Sequence, residues 1–434
     1  MLTTDVMIDR RILVEAETLI DEGFDVYLLA ASGVDHEKSE IIGRVKVERI
    51  VYHGFENRLR YLWKLLSIPY RIFIFPIGLL KKIILKFVSR TYLINKLFNS
   101  LMWRSGRIFF FPYEIGCKIL SRFTLLDGFQ YIYVKRGKLI RPDIVHIHDF
   151  PMLTAGRKIK KDLGIPLIYD SHEFYREIAT LTKRGRARVK AIESKAIKDV
   201  DYLVAVNYMA TDVFKDWYGI KNALTIQNAY AVNSNFDFKA NHNRFREEYP
   251  ELKGQKIILY QGWISDERNL ENLITAMSYL KDTNWSLVIM GYGEYINDLK
   301  EIAKTKDCLN KLVYVPAKSQ EELLSYSASA DIGVIPYSPS RDLNSKYASP
   351  NKLYEFIAAG LPIIANELMF VRTIVENEGF GKIVDMSSAE KIAEGLRSIN
   401  SEKLTQYKNN LLDKRVKYLW ESEKKYLIQL YSGL

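Results

Sequence analysis

A chain of 434 residues with 48% hydrophobic and 26% charged side chains is globular and long enough for two or more domains. Two cysteines, Cys117 and Cys308, with no CxxC pair and no N-terminal secretion signal, leave no basis for a disulfide framework or a zinc site and point to a reducing cytoplasm. The net charge of +11 is local, because residues 55–140 hold sixteen Lys or Arg against Glu56, Glu114 and Asp127, a net of +13 that leaves −2 for the remainder.

In chain order, MLTTDVMIDRR begins where a first strand should already be ending, so either that strand is short or the start lies upstream. Short apolar runs then alternate with helical patterns: VYLLAA, VERIVY, DIVHIHDF, PLIYD and YLVAV, followed by KIILYQG, SLVIMGYG, LVYVP, DIGVIPY and LPIIAN. Such alternation predicts parallel sheets with helices on both faces, in two doubly wound domains. The polar stretch QNAYAVNSNFDFKANHN, near 227–243, interrupts the periodicity and reads as the linker.

The basic segment 55–140 is also rich in apolar side chains. Its central charge-free run, Ile72 to Leu80, has nine residues where a spanning helix needs roughly 20, so it cannot cross a bilayer there. Cations interleaved with Trp63, Phe73, Phe75, Trp103 and Phe109 to Phe111 read as helices lying in an interface over anionic lipid. Ordinary domain helices with buried apolar faces are the alternative. No nucleic-acid module signature is present, and no nucleic-acid partner is expected.

In open α/β sheets ligands bind beyond the carboxyl ends of the strands, which directs attention to the motifs found there. His146 and His148 alternate in one strand and face the same way, a pattern compatible with a metal alongside Asp149 or His172, but no further ligand falls at a recognised spacing. His146 is deeper and reads as structural; His148, at the strand end, is the better functional candidate. In YQGWISDERNLENLI, Gly262 lets a ligand approach the backbone and Arg268 offers a fork of donors, unless it is merely a solvated arginine at a helix start. Gly291 and Gly293 of GYGE mark another strand-to-helix turn, where glycine can serve conformation alone.

The block SPNKLYEFIAAGLPI carries the most information. Ser349 as cap, Pro350 at the first helical position and the amides of Asn351 and Lys352 would form an anion-binding helix start. Lys352 and Glu355 share a helix face, and a mutual ion pair competes with a ligand role for both.

In order and spacing these motifs resemble the retaining nucleotide-sugar glycosyltransferases of family 4, over nearly the whole chain. The resemblance rests on IDRRILVEAETLIDEGFDVYLLA, RPDIVHIHDFPMLTAGRKIKKDLGIPLIYDSHEFYRE, DYLVAVNYMATDVF, YQGWISDERNLENLI, GYGEYINDLKEIA, ASADIGVIPYSPSR, SPNKLYEFIAAGLPIIAN and YLWESEKKYLIQLYSGL. It implies the GT-B fold: two facing Rossmann-like domains with a cleft between them, expected at 1–227 and 228–404. A C-terminal helix, 405–434, would pack back on the first domain.

By the same resemblance His148 contacts the donor sugar, Arg268 and Lys352 neutralise the donor diphosphate, and Glu355 holds the ribose as the second carboxylate of a Glu-x7-Glu motif. Gly262, Gly291, Gly293, Ser349, Pro350 and Asn351 complete the donor site. The family's first carboxylate falls at Tyr347, and the arginine often following the glycine of the entry loop is Trp263. These departures touch the sugar half of the site and reduce the cations available to the diphosphate.

The resulting expectation is a cytoplasmic, membrane-peripheral enzyme that moves a sugar from a nucleotide-diphosphate donor to a lipid-linked or surface-polysaccharide acceptor. No metal or cofactor is expected, because cations and helix-end amides can stabilise the leaving diphosphate. Acceptor attack on the leaving-group face, with the donor phosphate taking the proton, is the mechanism that the resemblance implies. A nucleotide-sugar epimerase of the same fold and a non-catalytic partner protein are the rival readings.

Overall fold

The computed structural model describes residues 1–33, 38–51, 128–232, 236–237, 240, 243–339 and 342–434. Residues 52–127 lie outside the described residues, and so does most of the segment assigned above to a membrane interface; the helix Gly128–Ile140 is its described end.

The first sheet contains β1 (Tyr27–Ala31), β2 (Ser39–Ile42), β3 (Val45–Ile50), β4 (Val145–His148), β5 (Leu167–Ser171), β6 (Tyr202–Ala205) and β7 (Ala223–Thr225). The strands form two hydrogen-bonded groups, β1-β3-β2 and β4-β5-β6-β7. Leu2 joins them by pairing in parallel with Leu29 on one side and Ile147 on the other. Its amide and carbonyl bond to His146 O and His148 N, each at 2.9 Å. The first strand is thus reduced to a bridge, and Asp5 and Asp9 follow it directly into the cleft.

The second sheet contains β8 (Lys256–Trp263), β9 (Trp285–Tyr292), β10 (Leu312–Pro316), β11 (Ile332–Ile335), β12 (Ile363–Ala365) and β13 (Gly381–Ile383). All are parallel, in the order β10-β9-β8-β11-β12-β13. Counted within the domain this is the doubly wound order, whose switch point lies between β8 and β11. Alternation along β8 supports it: Ile257 and Leu259 enter one apolar cluster while Ile258 and Tyr260 enter another, so both faces are covered.

Two chain segments cross between the domains, and they pair: Tyr230 bridges Leu419, with Trp420 N donating to Tyr230 O at 3.0 Å. Of the C-terminal helices, Ser401–Lys414 stays on the second domain, where Asn410 Nδ2 donates to Gly379 O at 2.9 Å. Trp420–Ser432 returns to the first, burying Trp420, Leu427 and Leu430 and donating from Trp420 Nε1 to Thr18 Oγ1 at 2.7 Å. The crossing therefore occurs at 415–420, later than position 405.

Candidate active site

The carboxyl ends of the two sheets face one another across a cleft of about 1100 Å³ that both domains line. On the second-domain side, the floor is the β8/β11 switch point. Gly262 has a φ of 111°, suited to glycine, and a Cβ there would lie 3.8 Å from Lys352 Nζ. Beyond it the chain makes a tight turn, Asp266–Arg268, pinned by Asn269, whose Nδ2 donates to Pro336 O at 3.0 Å and Met386 O at 2.9 Å. The pinning brings Arg268 over the ring of Tyr337, just past β11, at 4.5 Å from its centroid.

Lys352 arrives from the opposite side, in the first turn of the helix Asn351–Ala359. Its Nζ is 4.0 Å from the Tyr260 ring centroid and 4.5 Å from that of Tyr337. The residue is 6% exposed, and its Nζ is buried without a hydrogen-bond partner. Burial, with Arg268 nearby, pushes the ammonium's pKa down, and the Tyr337 hydroxyl and, less, Glu355 oppose that. The competing Lys352–Glu355 pair does not form: Glu355 instead accepts from Gln261 Nε2 at 2.6 Å, while Gln261 Oε1 accepts from Ser327 Oγ at 2.7 Å. A buried cation without an anion is costly, so the arrangement favours one being bound.

The helix start differs from the expected cap. Pro350 occupies the cap position with no side-chain bond, and Leu353 N turns back to Pro350 O at 2.9 Å. The Ser349 hydroxyl shares a hydrogen bond with Tyr354 OH at 3.0 Å, and Tyr354 OH donates to Gln227 Oε1 in the linker at 3.1 Å. Asn228 Nδ2 donates to Ser349 O at 2.9 Å. Ser349 thus ties the turn to the hinge rather than capping the helix. Ser349, Pro350, Asn351 and Glu355 all line the cleft, and the amides of Asn351 and Lys352 precede the first helical acceptor.

Gly291 lines the cleft, whereas Gly293 is not among its lining residues. Both serve backbone contact between strand ends, since a Cβ on Gly291 would stand 1.9 Å from Gly262 O and one on Gly293 1.9 Å from Ile264 O. Gly291→Ala should therefore cost about 3 kcal/mol or more in denaturant unfolding, by prising β9 from β8 at the cleft.

Across the cleft the structure separates the histidines. His148, the last residue of β4, pairs in register with Asp170 and is 1% exposed; it does not line the cleft. Burial pushes its pKa down to about 4. The cleft-lining histidine is His172, one residue beyond β5, with Nδ1 3.8 Å from Asp149 and Nε2 3.5 Å from Asp170. Burial opposes its charge, but the two carboxylates prevail and hold its pKa up at about 10. Asp149 is itself pushed up to about 7 by burial.

Asp149 stands at φ 65°, ψ 162°, a region nearly reserved for glycine, at a cost of roughly 1–3 kcal/mol. Two hydrogen bonds of 2.8 Å hold it there, from its amide to Asp170 O and from His172 N to its Oδ1. Asp149→Asn should lower the His172 imidazole pKa from near 10, read by NMR titration of the ring; an unchanged titration would show that Asp149 does not set that charge.

Behind this wall, Glu15, His146, His148 and Asp170 bring ligand-type atoms within 4.8 Å of one another. The cation that meets them is Arg11, bonding Glu15 Oε1 at 2.7 Å and both oxygens of Asp170 at 2.8 Å. Burial pushes the Glu15 carboxyl up to about 7, while Arg11 holds that of Asp170 well below the usual carboxylate range against its burial.

Where the family's first carboxylate would fall, Tyr347 makes a domain contact instead. Its ring lies 6.4 Å from that of Phe174, and its carbonyl accepts from Asn207 Nδ2 at 2.9 Å. Asn344 clasps Phe174, accepting from its N at 2.7 Å and donating to its O at 3.2 Å. Trp263 stands 59% exposed in the cleft.

Residues 241–418 match the family model for glycosyl transferases group 1, and residues 111–230 that for glycosyltransferase family 4. An alpha-monoglucosyldiacylglycerol synthase of Streptococcus pneumoniae is 24% identical over 258 residues, 57% of each chain. A glycogen synthase of Mycobacterium tuberculosis is 23% identical over 267 residues, 60% of each. The chain thus spans less than two thirds of the length of these relatives. Among solved structures, Anabaena HepE in complex with UDP and glucose superposes with a TM-score of 0.68 at 10% identity, covering 100% of this chain and 98% of that one. WaaG, a glycosyltransferase involved in lipopolysaccharide biosynthesis, gives 0.58 at 13%, covering 98% and 97%. With the two sheets, the switch-point cleft and the returning C-terminal helix, these matches place the chain among the group 1 glycosyltransferases of GT-B fold.

Proposed function

We propose that this protein transfers a sugar, with retention, from a nucleotide-diphosphate donor to a lipid-linked or surface-polysaccharide acceptor. The observation that carries the reading is Lys352, a buried ammonium without a hydrogen-bond partner beside Gly262, with Arg268 on the same tyrosine ring. The donor diphosphate lies between those two cations and the first amides of the helix Asn351–Ala359, and Glu355 takes the ribose hydroxyls. No metal is required, because these groups neutralise the leaving phosphate.

On the facing wall, His172 and Asp149 hold the sugar hydroxyls, and His148 supports them from behind through Asp170. The acceptor enters past His172 and attacks on the leaving-group face, its proton passing to the departing phosphate. Relatives named for a glucosyldiacylglycerol and for lipopolysaccharide biosynthesis favour a lipid-linked or cell-surface acceptor. A thermal-shift screen of UDP-, GDP-, ADP- and dTDP-sugars identifies the donor, since binding to the native state alone raises the melting temperature. Turnover with that donor and NMR of the product anomer should give the donor's own configuration. An inverted product would overturn the retaining assignment, and change of the free nucleotide sugar without acceptor would mean an epimerase.

A further inference from the structure

We propose that Tyr354 is a positioning residue for the donor-binding turn, residues 349–352, which it holds through a hydrogen-bond relay ending on Glu423 of the returning helix; this rests on the donor site proposed above. The Ser349 hydroxyl meets Tyr354 OH at 3.0 Å, Tyr354 OH meets Gln227 Oε1 at 3.1 Å, and Gln227 Nε2 meets Glu423 Oε1 at 2.9 Å. The Gln227 backbone amide completes the anchor by donating to Glu423 Oε2 at 2.9 Å. The carboxylate can only accept, which fixes every donor behind it: Gln227 gives its amide protons to Glu423, Tyr354 gives its proton to Gln227, and Ser349 gives its own to Tyr354.

Both ends of the relay are buried. Glu423 is 5% exposed and sits in the first turn of the helix Trp420–Ser432, where the helix dipole favours its charge. Tyr354 is fully buried. Packing alone would be met there by phenylalanine, as at Phe356 in the same core, so the hydroxyl is the feature that needs partners. Burial and the nearby Glu423 charge hold the phenol's pKa well above its usual range, and it keeps the proton that it donates. Aligned hydrogen bonds inside a protein polarise one another, so a chain that ends on a carboxylate is stiffer than its separate links.

The relay acts on the turn through Ser349. Its hydroxyl is engaged by Tyr354 and Gln227, and its carbonyl by Asn228 Nδ2, so two consecutive linker residues grip one residue of the second domain. Asn228 is gripped in turn from the first domain, with its Oδ1 accepting from Arg11 Nη1 at 3.2 Å. Drawn to Tyr354, the Ser349 hydroxyl leaves the amides of Asn351 and Lys352 to a ligand instead of capping them. The returning helix thereby sets where those amides and the Lys352 ammonium meet the diphosphate.

The test compares the full-length wild type with Tyr354→Phe, Glu423→Gln and the double variant, using UDP, GDP, ADP and dTDP as calorimetric probes. Tyr354→Phe keeps the ring and removes only the hydroxyl. Whichever nucleotide the wild type binds should bind roughly tenfold more weakly to each single variant, the scale of one hydrogen bond. The double variant should lose no more than the weaker-binding single, because the two residues act in series. Hydrogen exchange of the unliganded chain at Leu353, whose amide closes the turn on Pro350 O, should quicken in both single variants. Unchanged affinity with a lowered unfolding midpoint would mean that the hydroxyl only joins the domains, and fully additive losses would mean that there is no relay; either overturns the proposal. If the wild type binds none of the four nucleotides, the donor reading fails, and exchange at Leu353 then decides the relay by itself: unchanged rates in the variants overturn it.

Discussion

Lys352→Ala should lower kcat for sugar transfer by about 10²–10³-fold, the usual effect of removing one donor aimed at developing negative charge in a closed site. Among the described residues the ammonium has no hydrogen-bond partner, so little of the folded structure depends on its charge, whereas in the proposed function much of the leaving-group stabilisation does. Removing it relieves a burial cost, and the variant should unfold at or above the wild-type denaturant midpoint. Arg268→Ala should fall in the same direction, and the double variant by less than the product of the two, because both cations act on one diphosphate. Near-normal transfer by both single variants would remove the donor from the β8/β11 switch point.

Arg11→Ala should produce the largest loss of stability, about 3–5 kcal/mol, because it strands Asp170 and Glu15 as buried carboxylates. The pH dependence has a definite sign. Against burial, Arg11 and the neighbouring imidazoles hold the Asp170 carboxyl well below its usual range. Its contribution is therefore present above the unfolded value of about 3.9 and lost as pH falls below it. Without Arg11, Asp170 takes up a proton on folding, so the variant's deficit should shrink as pH is lowered from 7 toward 4. Urea unfolding at several pH values measures this; a deficit independent of pH would mean that Arg11 acts by packing alone.

The central strands could be read from the sequence because they are buried on both faces and stand out as apolar runs. The three strands missed are β2, β7 and β13, SEII, ALT and GKI, which lie at sheet edges and lack such a run. Lys352 and Glu355 were legible as residues, but only the structure separates them, by giving Glu355 to Gln261. The histidines went the other way. VHIHD and YDSHE both end strands, but His148 is the last paired residue of β4 and is buried opposite Asp170, whereas His172 lies one step past β5 and reaches the cleft. A one-residue difference in where pairing stops decides which imidazole lines the cleft, and composition carries no record of it. The Asn344–Phe174 clasp was invisible for a related reason, since its 170-residue separation has no local pattern.

The most direct test of the account is nucleoside-diphosphate binding, measured by calorimetry on the wild type and on the Lys352→Ala, Arg268→Ala double variant. The account predicts saturable binding to the wild type that the double variant loses, with the variant folded to the same extent. Equal affinity in the two proteins would contradict it.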